Sequence, residues 1–121
     1  VQYKLPIKIF ILNNQYMGMV RQWQELLHEK NYSESYTAAL PDFVKLAEAY
    51  GCVGIQATKP DELDEKINEM INTKEPVIFD CRVDPAENCY PMIPSGKPHN
   101  QMLLGPEDEK EEVTDEGKTL V

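Results

Sequence analysis

Two consecutive carboxamides, Asn13 and Asn14, end an apolar run and open the richest chemical stretch of the chain, "ILNNQYMGMVRQW". A side-chain amide oxygen is a neutral, hard donor. It suits Mg²⁺ when phosphates and a carboxylate elsewhere provide the negative charge, and main-chain carbonyls of the next turn can complete the shell. The helix expected to begin near Gly18 would aim its free amides at any anion placed there. Two plainer roles stand beside these. Asn-Asn after a strand is common turn chemistry, with the side chains capping nearby backbone groups. A helical stripe of Met19, Val20 and Trp23 is ordinarily core packing rather than a ligand pocket. Gly18, between two methionines, lets another group approach the backbone closely.

The elements that must position these residues follow from the hydrophobic pattern. "PIKIFIL" is short, β-branched and almost continuously apolar, the pattern of a strand buried on both faces of a parallel sheet. From about residue 17 to 29, Met19, Trp23, Leu26 and Leu27 recur at helical spacing, with Gln22, Glu25 and His28 off that face. "NYSESYTAALP" reads as an irregular connection. "PDFVKLAEAYG" opens on Pro41 and Asp42 and closes on Gly51, good start and stop signals for a helix striped by Phe43, Leu46, Ala47 and Tyr50. "CVGIQAT" is a second strand. "KPDELDEKINEMINTK" is a third helix, with Leu63, Ile67, Met70 and Ile71 expected to face inward. Its acids Asp61, Glu62 and Asp64 complement the positive end of its dipole. "PVIFDCRVD" is the third strand.

Strand, helix, helix, strand, helix, strand is the alternation of an α/β fold, a parallel sheet flanked by helices in the doubly wound manner. Ligands of such sheets settle beyond the carboxyl ends of the strands, where Asn13 and Asn14 stand. After Asp84 the chain is proline-rich but still carries apolar residues, so it is expected to wrap back rather than float free.

Composition narrows the function. A length of 121 residues suits one ordinary domain. The formal net charge of -9 argues against a nucleic-acid partner, which would require a basic face. No run reaches the roughly 18 apolar residues of a membrane span, and nothing resembles a signal peptide. Cys52, Cys81 and Cys89 lack metal-site spacing and are odd in number, which fits a reducing compartment. His28 and His99 stand alone. The acidic run "GPEDEKEEVTDEGKTLV", residues 105–121, is expected to be a solvated, disordered tail. Because the first residue is Val1 rather than Met, the chain is expected to have been cut, processed or taken from a longer one.

On these residues alone the reading stops at an α/β candidate for a nucleotide or phosphate site. The string "PIKIFILNNQYMGMVRQWQELLHEKNYSE" goes further. It resembles the thiamin-diphosphate-binding domain of the acetohydroxyacid synthase (acetolactate synthase) catalytic subunit, as do "LPDFVKLAEAYG" and "ENCYPMIPSG", in the same order. The likeness covers residues 1–104, and NNxxxGMVxQWQ is its most specific element.

The resemblance implies that Asn14 is a side-chain ligand of Mg²⁺ and that the main-chain oxygen of Tyr16 is another. It implies that Gly18 and Met19 lie at thiamin diphosphate. Val20, Trp23 and Ser95 would shape the pocket for the second 2-oxo acid, Trp23 favouring 2-oxobutyrate over pyruvate and Ser95 lying near the entrance. The implied activity joins decarboxylated pyruvate to a second 2-oxo acid, a transferase reaction of branched-chain amino-acid synthesis. No residue of this chain is expected to be catalytic in its own right.

The acidic member of the family's metal motif (GDG or GDA) and the glutamate that activates the cofactor are not in this sequence. Neither is the domain that binds FAD. The resemblance therefore implies that the chain turns nothing over alone. Its implied partners are the rest of the catalytic subunit, further copies in a homodimer or homotetramer, and a regulatory small subunit, with no nucleic acid and no membrane. The implied location is the cytoplasm of a bacterium, or a plastid or mitochondrion in a eukaryote. Two alternatives stay open: a piece of another thiamin-dependent 2-oxo acid decarboxylase or oxidase, and a non-catalytic α/β module.

Overall fold

Three runs of β-branched and aromatic residues form the strands β1 (Lys8–Asn13), β2 (Val53–Ala57) and β3 (Val77–Arg82). They pair in parallel in the order β1-β3-β2, so the last strand in the chain is the central one. In this computed structural model residues 1–106 are described, and the acidic run beyond Pro106 lies outside them. The chain divides into two compact units: Val1–Gln15 with Ala38–Pro85, and Tyr16–Thr37 with the segment from Ala86.

Register decides the character of the first unit. Val53, Ile55 and Ala57 pair with Val77, Phe79 and Cys81, while Lys8, Phe10 and Leu12 pair with the same three residues from the other side. Successive side chains alternate between faces, so one face of β2 and β3 is wholly apolar. Helix α3 (Leu63–Asn72) packs on it, and Met70, Ile67 and Leu63 complete the core. Phe10 meets Phe79 edge-on, ring centroids 4.6 Å apart.

The opposite face carries Gly54, Gln56, Asp80, Arg82 and Asn13. Helix α2 (Phe43–Ala49) lies there, close enough that a Cβ on Gly54 would fall 2.8 Å from the backbone of Val44. Helices on both faces make the small sheet doubly wound. Asp42 caps α2 by accepting from the Lys45 amide at 3.0 Å. Gly51, at φ 73°, ends it in the left-handed conformation that favours glycine. A 3-10 turn over Pro60–Glu62 leads into α3, and the Glu62 carboxylate accepts from the amides of Thr58 and Lys59.

Three expectations need correction. β1 is not buried on both faces: it is an edge strand, and Leu12 is 69% exposed with Ile9 and Phe10 also exposed. Among the described residues β1 pairs with β3 alone, so its apolar side chains are covered from one side only. Ile71 is exposed because it stands about 100° around the helix from Met70, which takes the inward position. In the expected stripe of α2, Tyr50 is 66% exposed at the C-cap, where Gly51 turns the chain away, and Leu46 one turn earlier is 37% exposed.

The second unit is organised on α1 (Gly18–Leu27), and its other described residues contain little regular structure. Tyr16 and Tyr36 form an antiparallel bridge with their rings 5.1 Å apart, and the Met17 amide donates to the Ser35 carbonyl at 2.8 Å. Met92 and Leu103 form a second bridge, exchanging bonds of 2.9 and 2.7 Å. The proline-rich segment after Asp84 does fold back, onto α1.

Candidate functional site

Asn13 and Asn14 divide the work that their adjacency suggested. Asn13, the last residue of β1, is 5% exposed. Its Nδ2 donates to Asp80 Oδ1 at 2.7 Å, and its Oδ1 accepts from the Gln15 amide at 3.1 Å. Asp80, only 1% exposed, also accepts from Gln56 Nε2 at 2.9 Å and faces Arg82 Nε at 3.4 Å. A buried carboxylate persists only when its oxygens are matched by donors, and three strands supply them here. All four residues lie on the α2 face at the carboxyl ends of the strands, beside a depression of about 450 Å³ that Leu40, Pro41, Asp42 and Val44 help to line.

This cluster is absent from the sequence expectations, although a signal existed. An acid inside the apolar run "PVIFDCRVD" must find partners if that run is a central strand. The next residue, Cys81, is buried, and burial followed by the nearby Asp80 charge pushes its thiol above the ordinary range. It is a packing residue.

Asn14 follows the last residue of β1 and is half-buried. It immediately precedes Gln15, whose φ of 62° is in the left-handed region and turns the chain sharply. Among the described residues no group of three or more His, Cys, Asp or Glu is placed to hold a metal ion. The Asn14 carboxamide is a neutral oxygen donor, a type that fits a cation whose charge is balanced by a phosphate-bearing ligand.

In the second unit α1 inverts the usual arrangement. Its buried residues are Arg21 and Gln22. Arg21 Nη2 donates to the carbonyls of Ala86 and Glu87 at 2.8 and 3.2 Å and contacts Asn88 Oδ1, while Nη1 pairs with Glu25. Gln22, 1% exposed, accepts from the Cys89 amide at 2.7 Å and donates to the Cys89 carbonyl at 3.1 Å, as another strand would. Tyr32 donates to Glu25 at 3.2 Å, and partial desolvation together with that carboxylate pushes its phenol above the ordinary value.

The apolar stripe consequently faces out. Met19 is 50% and Trp23 41% exposed, and with Val20 they line an open depression of about 770 Å³. Leu27, Gln24, His28 and Asn31 continue it. Three of the expected site residues are thus brought together. Gly18 is the first residue of α1, whose start has no capping side chain and no acid in its first turn, which leaves its amides suited to an anion. Ser95 is half-buried on the segment after the cis Tyr90–Pro91 bond and does not line this depression.

A parallel sheet wound on both faces, ending in an amide pair, matches the family model "Thiamine pyrophosphate enzyme, C-terminal TPP binding domain" over residues 1–81. The chain belongs to that family, and thiamin diphosphate is the cofactor of its domain. Among its relatives are the acetolactate synthase large subunit of Cyanidium caldarium, 52% identical over 103 residues, which are 84% of this chain and 18% of that protein. The isozyme 3 large subunit of Escherichia coli K12 is 45% identical over 107 residues, 86% of this chain and 19% of that protein. The chain spans about a fifth of the length of the curated relatives it matches. A solved structure, the thiamine diphosphate-dependent 4-hydroxybenzoylformate decarboxylase of Rhodococcus jostii RHA1, has a TM-score of 0.63 and 28% identity, covering 72% of this chain and 16% of that one.

Proposed function

We propose that residues 1–104 are the C-terminal part of the thiamin-diphosphate-binding domain of an acetolactate synthase catalytic subunit, followed by an acidic tail over 105–121. The observation that carries this reading is the outward apolar stripe of α1. A ten-residue helix that buries Arg21 and Gln22 while exposing Met19, Val20 and Trp23 has a surface shaped for something besides its own core. Identity of 42–52% to acetolactate synthases supports it.

In this reading Asn14 and the main-chain oxygen of Tyr16 hold Mg²⁺, and Gly18 and Met19 meet the cofactor. Val20 and Trp23 bound the space for the second 2-oxo acid, with Ser95 toward its entrance. When bound, thiamin diphosphate supplies the nucleophilic carbon and the electron sink for decarboxylation and carbon–carbon bond formation. The chain's own residues bind, orient and exclude water. Their apolar side chains keep the acceptor's carbonyl in a dry site and select among acceptors by size. FAD, the activating glutamate and the remaining metal ligand belong to other parts of the complete subunit. The subunit acts as a homodimer or homotetramer with a regulatory small subunit. It works in the cytoplasm of a bacterium, or in a plastid or mitochondrion of a eukaryote.

The experiment is made in the complete subunit. Asn14→Ala should abolish Mg²⁺-dependent retention of thiamin diphosphate and acetolactate formation together, and unchanged retention would refute the metal role. Varying Trp23 should change the preference between 2-oxobutyrate and pyruvate. Acetolactate formation by the isolated 121-residue chain, supplied with thiamin diphosphate, Mg²⁺ and FAD, would contradict its reading as an incomplete site. The 28% identity to a decarboxylase favours a second reading, a 2-oxo acid decarboxylase. Release of free aldehyde in place of the condensed product would select it.

A further inference from the structure

Asp80 is where side chains of three strands meet, and Asn13, Gln56 and Arg82, which surround its carboxylate, are not assigned above to cofactor, metal or substrate. It costs the fold a buried carboxylate, and that cost demands a reason. Carboxylate oxygens only accept, so the group 2.7 Å from Asp80 Oδ1 must be the NH₂ of Asn13. That assignment leaves the Asn13 carbonyl oxygen pointing away, to where the Gln15 amide donates to it at 3.1 Å. The bond closes an Asx turn around Asn14. Gln15 holds a left-handed φ of 62° although it is not glycine, a conformation that persists only where its surroundings enforce it. The backbone carbonyl of Asn13 is also occupied, accepting from Val83 at 3.2 Å. Asn13 is thus held at both its main chain and its side chain, and the side chain's orientation is dictated by Asp80.

We propose that Asp80 is a positioning residue for the metal-binding turn: its carboxylate orients the Asn13 carboxamide, which holds the Gln15 amide and so presents Asn14. The proposal rests on the reading of Asn14 as a metal ligand. Gln56 and Arg82 serve it by occupying Asp80 Oδ2, which leaves Oδ1 to Asn13. Groups that orient metal ligands through hydrogen bonds affect metal affinity strongly without touching the ion.

The test uses the complete subunit, stripped of metal and saturated with thiamin diphosphate. Mn²⁺ is the probe, with free Mn²⁺ counted by electron paramagnetic resonance. Asp80→Leu removes the acceptor and should weaken Mn²⁺ binding by about tenfold or more, while activity at saturating Mn²⁺ recovers. Asp80→Asn keeps an acceptor oxygen for Asn13, since the exposed Gln56 carboxamide can turn over to accept from the new amide and the Arg82 side chain, 31% exposed, can turn to water. Its affinity should stay within about threefold of the parent. Asn13→Leu combined with Asp80→Leu leaves neither partner of the pair stranded and so guards against misfolding. It should weaken Mn²⁺ as much as Asp80→Leu alone.

Parent-like Mn²⁺ affinity in Asp80→Leu or in the double variant, with Asn14→Ala still losing the ion, would overturn the positioning role alone. An equal loss in Asp80→Asn and Asp80→Leu would also overturn it, because charge and not orientation would then be the cause. Parent-like affinity in Asn14→Ala would instead remove the ligand reading, and the proposal with it.

Discussion

Helices α1 and α3 have the same length and nearly the same alternation of apolar and polar residues, yet they bury opposite faces. In α3 the stripe of Leu63, Ile67 and Met70 closes the core and the charged residues face water. In α1 an arginine and a glutamine go inside and a tryptophan and a methionine stay out. The difference lies in what each helix packs against. α3 meets an apolar sheet face, which can reward only apolar burial. α1 meets a loop of exposed backbone amides and carbonyls, which must be paired if they are covered. Arg21 and Gln22 are long side chains with several donors and acceptors, and they provide that pairing. Periodicity reports that a helix has two faces, and the neighbour determines which one is buried.

The largest expected effect tests the conventional half of this contrast. Met70→Ala opens space in the core of the first unit and should cost about 2 to 5 kcal/mol in urea unfolding. The inverted half is tested by Gln22→Leu, a gain in hydrophobicity that periodicity would score as harmless. It strands the amide and carbonyl of Cys89 and should cost about 1 to 3 kcal/mol, with backbone protection lost at Cys89 in hydrogen exchange. If Gln22→Leu proved stabilising, the inversion would be wrong.

Trp23→Ala should cost less than about 1 kcal/mol of stability, because the residue is 41% exposed. Its measurable consequence should be in acceptor choice. The smallest effect belongs to Glu62. The Thr58 and Lys59 amides hold its carboxyl below the ordinary value of 4.5. A carboxyl depressed on folding contributes stability that is fully present above its unfolded pKa and disappears as pH falls through its folded one. Glu62→Gln should therefore flatten the loss of stability in the window below about pH 4.5, read from unfolding midpoints across that range.

Much of this fold was legible because its signals are local. Pro41 and Asp42 before Phe43, and Gly51 after Tyr50, bracket α2 almost to the residue, and the three apolar runs became three parallel strands. What escaped was information carried between segments. β1 reads as a doubly covered strand because its run is nearly all apolar, and composition does not say that it stands at the edge of the described sheet. Gln22 reads as a surface residue because its partner, the backbone of Cys89, is 67 positions away. The pairing of Asn13 with Asp80 spans 67 positions too, and only the register of β1 against β3 brings them together. Met19, Val20 and Trp23 were legible as one cluster through resemblance, whereas their spacing alone pointed to core.

The contact between Gly54 and Val44 sets a tolerance for the whole upper layer. Because α2 rests there on bare main chain, its height above the sheet is fixed at the minimum that two backbones allow, with no side chain to act as a compressible spacer. A single methyl at position 54 would lift that end of the helix. Asp42 and Val44, two walls of the depression beside Asp80, would be lifted with it.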